Sequence, residues 1–145
     1  MRIPSSTISS TNHNIGQNMD FSNYLADKLI DATVRNITLP LITDVYLALY
    51  KTDPTKDNIG DEVEAESYNR QKITFNEPVD GVTANSAQID FSVATGNWGN
   101  VGWVGILDQE VAGNLLYFTE LDNAKEILTG DQFRVDVDKL NLQLT

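Results

Sequence analysis

The chain has 145 residues, of which 41% are hydrophobic, a size and composition that suit one globular domain with its own core. Its formal net charge of −11 disfavours a nucleic-acid partner or an anionic membrane, because phosphate groups are bound by clustered Lys and Arg side chains. The absence of cysteine, with His13 as the only histidine, excludes disulfides, thiol nucleophiles and metal sites built from Cys or from several His side chains.

The first 18 residues form a leader rich in Ser, Thr and Asn, with three isoleucines, Ile3, Ile8 and Ile15. This composition is typical of a disordered tail, and the isoleucines are spaced too widely to form one face of a helix or strand. We expect residues 1–19 to be an extended N-terminal arm whose isoleucines contact a neighbouring subunit. A leader that folds back on its own domain is the alternative.

A helix is predicted over residues 20–36. Asp20 or Ser22 can cap it by accepting a hydrogen bond from a free backbone N–H group, and Pro40 marks a point by which it has ended. Its apolar side chains recur at helical spacing, so we expect them to pack against a sheet. They are Phe21, Leu25, Leu29 and Ala32.

From Asp44 onwards the apolar residues recur with a period of two, which predicts β-strands. Short strands without intervening helices, joined by turns such as Asp80–Gly81, indicate an antiparallel sandwich or barrel. We therefore expect a mainly β fold over residues 20–145: a jelly-roll-like antiparallel β-sandwich of about seven strands, with one N-terminal helix. The predicted strands lie in segments 44–52, 70–79, 86–94, 98–107, 114–121, 132–138 and 140–144.

Alternation also predicts which side chains of these strands share a face. In the fourth segment, Val101 and Trp103 are expected on one face, with Val104 and Ile106 on the other. In the third segment the expected inward residues are Ala87, Ile89, Phe91 and Val93.

The loop 53–66 holds six acidic residues. Clustered carboxylates suit a hard cation such as calcium, but the spacing does not match an EF-hand loop. A solvated insertion between two strands is the simplest interpretation, and a loop that faces a partner is the alternative.

The only two tryptophans, Trp98 and Trp103, lie among the glycines of segment 95–106. Glycine permits sharp turns and close backbone approach, while tryptophan supplies a large apolar surface. A tryptophan within a strand is typical of a core, whereas Trp98 lies in a predicted turn that suits either a core or an interface. We expect Trp98, Asn100 and Trp103 to shape an interface at this end of the sandwich.

The sequence offers no convincing catalytic site. Asp136 and Asp138 could be read as the carboxylate pair of a glycosidase, but their alternation with Val135 and Val137 is explained by the solvated face of an edge strand. The glycines of segment 95–106 neither open a helix nor precede a lysine, as a phosphate-binding loop requires. We expect no catalytic residues, no cofactor and no metal.

Several short motifs occur in a fixed order along residues 21–145. They are NYLADKLID at 23–31, YKTDP at 50–54, Tyr68-x-Arg70, a segment at 89–108, and glycine turns at 113–117 and 130–131. This series resembles the small phage virion proteins called tail fibre, head fibre or decoration proteins. The leader and the acidic loop 53–66 depart from that pattern.

The resemblance implies a virion component that is not an enzyme. The favoured hypothesis is a decoration or cement protein on the capsid exterior, bound to the major capsid protein and to copies of itself, with a trimer as one arrangement. Small size and the lack of a repetitive shaft favour this hypothesis. The alternative is a tail fibre or baseplate module that contacts the host through Trp98 and adjoining loops, and a cell-wall hydrolase is a third hypothesis without a carboxylate pair to support it.

Overall fold

The computed structural model of the chain describes residues 19–144. Within this range the chain forms one α-helix and nine β-strands. In order they are β1 (Asp20–Phe21), α1 (Asn23–Val34), β2 (Val45–Tyr50), β3 (Gln71–Ile73), β4 (Val82–Ala84), β5 (Ile89–Asp90), β6 (Gly99–Leu107), β7 (Leu115–Ile127), β8 (Arg134–Val135) and β9 (Asn141–Gln143).

Five strands form an antiparallel sheet in the order β1-β7-β6-β2-β3, and two further antiparallel pairs, β4–β9 and β5–β8, form two-stranded ribbons. This architecture confirms a mainly β, sandwich-like fold with one helix. The two strands that the sequence pattern did not predict are β1 and β4. Each is three residues long or shorter and lies outside the segments in which apolar residues recur with a period of two.

The five-stranded sheet carries apolar side chains on both faces. Along β2, Leu47 and Leu49 join one cluster, whereas Ala48 and Tyr50 join the other. The larger cluster, here called the main core, lies between the sheet and the ribbons. Its ribbon-side members include Ile89, Phe91, Phe133, Val135 and Leu140. The smaller cluster, here called the second cluster, consists of Ala48, Tyr50, Leu107, Leu115 and Phe118.

The helix begins later than its apolar pattern predicts. Residues 20 and 21 pair with β7, so the cap is Ser22, whose Oγ accepts a hydrogen bond from the backbone N–H of Leu25 over 3.0 Å. At the other end, Asn36 adopts a φ of 57°, and the N–H of Ile37 donates to the carbonyl of Asp31. The left-handed conformation of Asn36 and the hydrogen bond from Ile37 to Asp31 end the helix well before Pro40.

The Asp80–Gly81 turn is confirmed. Both residues have positive φ, 53° and 78°, and Val79 and Val82 exchange both backbone hydrogen bonds over 3.0 Å. Such a two-residue loop matches the twist of the strands that it joins.

The face predicted for Val101 and Trp103 is wrong. Val101 lies in the main core together with Val104 and Ile106, whereas Trp103 packs on the second cluster. A register shift between Val101 and Trp103 breaks the alternation, because β7 advances five positions where β6 advances two.

Alternation also fails around β5, which spans only two residues. Ile89 and Phe91 are buried as predicted, but Ala87 and Val93 are exposed. They lie in the connections on either side of the strand, where the pleat no longer sets the direction of a side chain.

Candidate functional site

Trp98 lies inside the domain, with 2% of its surface exposed. Its indole Nε1 donates to Ser67 Oγ over 3.0 Å, so the polar atom of the ring is satisfied. The ring meets Tyr68 edge-to-face with centroids 5.4 Å apart and lies 6.4 Å from the ring of Phe91. Trp98 therefore anchors its turn to the main core and shapes this end of the sandwich from within.

Gly99 follows Trp98 at a φ of 92°, and a Cβ at this position would lie 2.9 Å from Lys51 Cδ. Asn100 is exposed on β6 opposite Glu126. Trp103 is half-buried on the other face of the sheet, with its ring centroid 6.5 Å from that of Phe118. The two tryptophans thus lie on different faces and do not form one patch.

The interface role of Trp98, Asn100 and Trp103 stays a prediction. The isoleucines of the leader, Ile3, Ile8 and Ile15, lie outside the described residues, and their role stays a prediction as well.

The acidic loop is more than a solvated insertion, because Glu62 is tied to the sheet. Arg70 donates to Glu62 through two parallel bonds of 2.8 Å, from Nε to Oε2 and from Nη2 to Oε1. Tyr68 Oη donates to Glu62 Oε2 over 2.6 Å and accepts from the backbone N–H of Leu49 over 3.0 Å. We call Glu62, Tyr68 and Arg70 the loop latch.

The loop latch extends to a second loop. Arg70 Nη1 donates to the backbone carbonyls of Gln109 and Ala112 at 3.0 and 2.7 Å. These residues lie in the connection between β6 and β7, so one guanidinium fastens that connection to the acidic loop. The Arg70 side chain that makes these bonds is 9% exposed.

Protonation in the loop latch follows from burial and from Glu62. Burial, followed by the negative charge of Glu62, raises the pKa of Tyr68, and the same two causes raise the pKa of Tyr50. Burial alone would lower the pKa of Arg70, but hydrogen bonds and charge from Glu62 raise it overall. At neutral pH the loop latch therefore holds the neutral phenol of Tyr68 and the charged guanidinium of Arg70.

Among residues 19–144, no group of three or more His, Cys, Asp or Glu side chains is arranged to hold a metal ion. No helix in this range is long and apolar enough to cross a membrane. The pair considered for catalysis is not aligned on one strand face. Asp138 lies in a turn at a φ of 65°, and its carboxylate accepts from Asn76 Nδ2 over 3.2 Å.

A groove of about 260 Å³ opens between α1, the segment 37–45 and the sheet, and we call it the apolar groove. All of its lining side chains are apolar or aromatic, among them Leu25, Leu29, Leu39, Ile42, Phe75 and Leu142. Further apolar residues are exposed on α1 and on the segment that follows it, and one of them, Leu39, lines the groove. These are Ile30, Val34, Ile37, Leu39 and Leu41.

Sequence reasoning missed both the apolar groove and the loop latch. The helical stripe predicts packing against a sheet and gives no sign that Leu29 also lines an open groove. The available signal was the run ITLPLIT at 37–43, which is apolar without the period of a strand. Tyr68 and Arg70 were noted only as a motif, because their partners lie up to 42 residues away.

A family model described as Podophage GP4 fiber I protein gp80 matches residues 20–143. The match spans α1 and all nine strands of the described range, and so includes both the loop latch and the apolar groove. No curated protein matches the chain.

Proposed function

Because the chain belongs to the family described as Podophage GP4 fiber I protein gp80, it is a phage structural protein of the fibre type, and we propose that it works without catalysis, by binding other proteins of the particle. The family match along residues 20–143 is the observation that carries this proposal. The structure supports it with a sandwich whose loops are fastened by the loop latch and whose apolar groove is open to a partner.

We propose the capsid exterior as the position of the protein, where it would act as a decoration or cement protein on the major capsid protein and on copies of itself. Residues 19–144 form a small sandwich and contain no repetitive shaft. The net charge of −11 suits a basic patch on a shell. Many copies that each bury a modest area can stabilise a shell through avidity.

A tail fibre module that contacts the host is the second candidate, and the description of the family as a fibre protein favours it. In that position the exposed residues beside Trp98 would make the contact, since Trp98 itself is buried. Asn97 and Asn100 are two such residues.

Electron microscopy of intact particles labelled with an antibody to this chain separates the two positions. Label distributed over the head supports the decoration role, and label confined to the tail supports the fibre module. Particles that carry no label on either part would contradict a virion role altogether. Exchange of the loops around Trp98 then tests host contact, because unchanged adsorption would exclude it.

A further inference from the structure

We propose that the apolar groove binds the leader, residues 1–18, of a neighbouring copy of the chain. This inference rests on the proposed function, in which several copies assemble on one particle.

The groove is the starting point, because exposed apolar side chains that lie together can mark an interaction site. Leu39 and Leu41 follow α1 and are 38% and 89% exposed. Ile42, Phe75 and Leu142 are only half-buried in the groove wall. A partner that covers these side chains gains apolar contact that residues 19–144 of the same chain leave unmade.

Net charge favours the leader over another folded domain as the occupant of the groove. The leader contains Arg2 and none of the 21 Asp and Glu residues, so residues 19–145 carry nine basic against 21 acidic residues, a formal charge of −12. Two such domains repel each other when their faces approach. The leader carries positive charge, opposite to that of the domain, and its three isoleucines can make apolar contacts in the groove.

The direction of the chain favours a neighbouring copy over the leader's own groove. In the β1–β7 ladder, Phe21 lies opposite Tyr117 and Asp20 lies opposite Phe118. The chain before Asp20 therefore heads towards Thr119. The groove is lined by Leu116 and Tyr117, on the other side of that starting point, so the described chain from Phe21 back to Asp20 runs away from its own groove.

Length permits the contact between copies. Eighteen extended residues span at most about 60 Å, which is more than the width of a domain of this size. The leader joins the folded domain at Met19, which is 4% exposed in the main core.

Engineered cysteines test the proposal, because the natural chain contains none and every disulfide formed is one that was introduced. Full-length Ile8→Cys protein is mixed with full-length Leu39→Cys protein under mild oxidation. The matched control replaces Leu39→Cys by Val111→Cys, which is 79% exposed in the connection between β6 and β7. A single chain that carries both Ile8→Cys and Leu39→Cys is oxidised separately at high dilution.

We expect a crosslinked heterodimer between Ile8→Cys and Leu39→Cys, and its loss when Val111→Cys is used. Three results would overturn the proposal. Crosslinking to both sites alike would indicate random collision, and a dilute double variant that closes only within one chain would place the leader in its own groove. A predominant Leu39→Cys homodimer would indicate that two grooves face each other.

A second measurement does not depend on cysteine chemistry. The mass of the full-length protein in solution is compared with that of a variant lacking residues 1–18 and with that of Leu39→Asp. Loss of the assembled species in both variants is expected, and assembly that persists without the leader contradicts the proposal. Since both experiments use purified protein, a negative result leaves the antibody labelling of particles, and with it the proposed function, as a separate question.

Discussion

Arg70 holds Glu62 through two parallel hydrogen bonds of 2.8 Å while its remaining terminal nitrogen binds two backbone carbonyls in another loop. A planar guanidinium can satisfy both loops at once because its donors point in fixed directions. This one side chain therefore sets the relative position of the acidic loop and the connection between β6 and β7.

Arg70→Ala should destabilise the domain by about 2–3 kcal/mol, since it leaves the Glu62 carboxylate without its ionic partner in a shielded position. Arg70→Lys should recover little of this loss, because an ammonium group cannot form the bidentate pair. Urea unfolding measures both variants. Arg35→Ala is the control, since it removes an exposed i,i+4 pair with Asp31 and should change stability little. Equal effects of Arg70→Ala and Arg35→Ala would contradict a structural role for the loop latch.

Gly113→Ala should cost about 2 kcal/mol, for reasons of both conformation and space. Gly113 has a φ of 77°, and a Cβ there would lie 2.5 Å from Gln109 Cβ and 2.6 Å from Asp108 Oδ1. Gly96→Ala is the matched control, because nothing lies within 4 Å of the added Cβ. Thermal unfolding of the two variants should separate them, and a Gly113→Ala protein as stable as Gly96→Ala would show that the connection relaxes freely.

Asn85 should be intolerant of substitution. Its Nδ2 donates to the carbonyls of Ala87 and Asp136, each over 2.9 Å, and its Oδ1 accepts from the N–H of Leu140 over 2.8 Å, all with 0% of the residue exposed. Asn85→Ala removes three hydrogen bonds, one of them from the buried N–H of Leu140, which should cost about 2–4 kcal/mol. Chemical denaturation checks this, with the exposed Asn69→Ala as the control. A loss below that of the control would mean that water replaces the amide.

The two tryptophans should differ in their effect on stability. Trp98→Ala should cost about 3–5 kcal/mol, because it removes a ring from the main core. Trp103→Ala should cost less, about 1–2 kcal/mol, because part of its ring is already in contact with water. Denaturation with fluorescence of the remaining tryptophan measures both. If Trp103→Ala is soluble and stable but no longer assembles, Trp103 contacts another subunit; assembly at the level of the natural protein would exclude that contact.

Alkaline pH should destabilise the domain through its buried phenols. The pKa of Tyr68 is raised in the folded state, first by burial and then by Glu62. At pH values at which the unfolded Tyr68 side chain loses its proton, the folded one keeps it. The contribution of Tyr68 to the stability of the fold is therefore complete below about pH 10 and is lost progressively above that pH. Stability measured across this range should fall less steeply for Tyr68→Phe than for the natural chain. An identical slope would assign the loss to other groups, such as Tyr50 and Tyr117, whose pKa values are also raised by burial.

The fold class could be predicted because its signals are local. Period-two patterns predict β2, β6 and β7. The Asp80–Gly81 pair predicts a tight turn, because both residues readily adopt positive φ. The side-chain directions at Val101 and Trp103 could not be predicted, because the register shift depends on extra residues in the partner strand β7.

The candidate site was less predictable for a similar reason. Glu62 stands among six acidic residues that are alike in sequence, and only its distance from Arg70 distinguishes it. Leu29 belongs to an ordinary amphipathic stripe, and its place in the apolar groove depends on how the segment after α1 crosses the sheet. Local sequence patterns do not show such long-range contacts.

The arrangement of the strands also has a consequence for how newly made chains reach their final form. The connection between β6 and β7 is only seven residues long, so this hairpin can form early. The β5–β8 ribbon instead pairs Asp90 with Arg134, 44 positions away, and this pairing must close before the main core is covered. Domains dominated by such distant pairings fold on the millisecond-to-second scale. During that interval the uncovered sheet is open to wrong partners, so the yield of correctly folded protein should fall as the concentration of new chains rises.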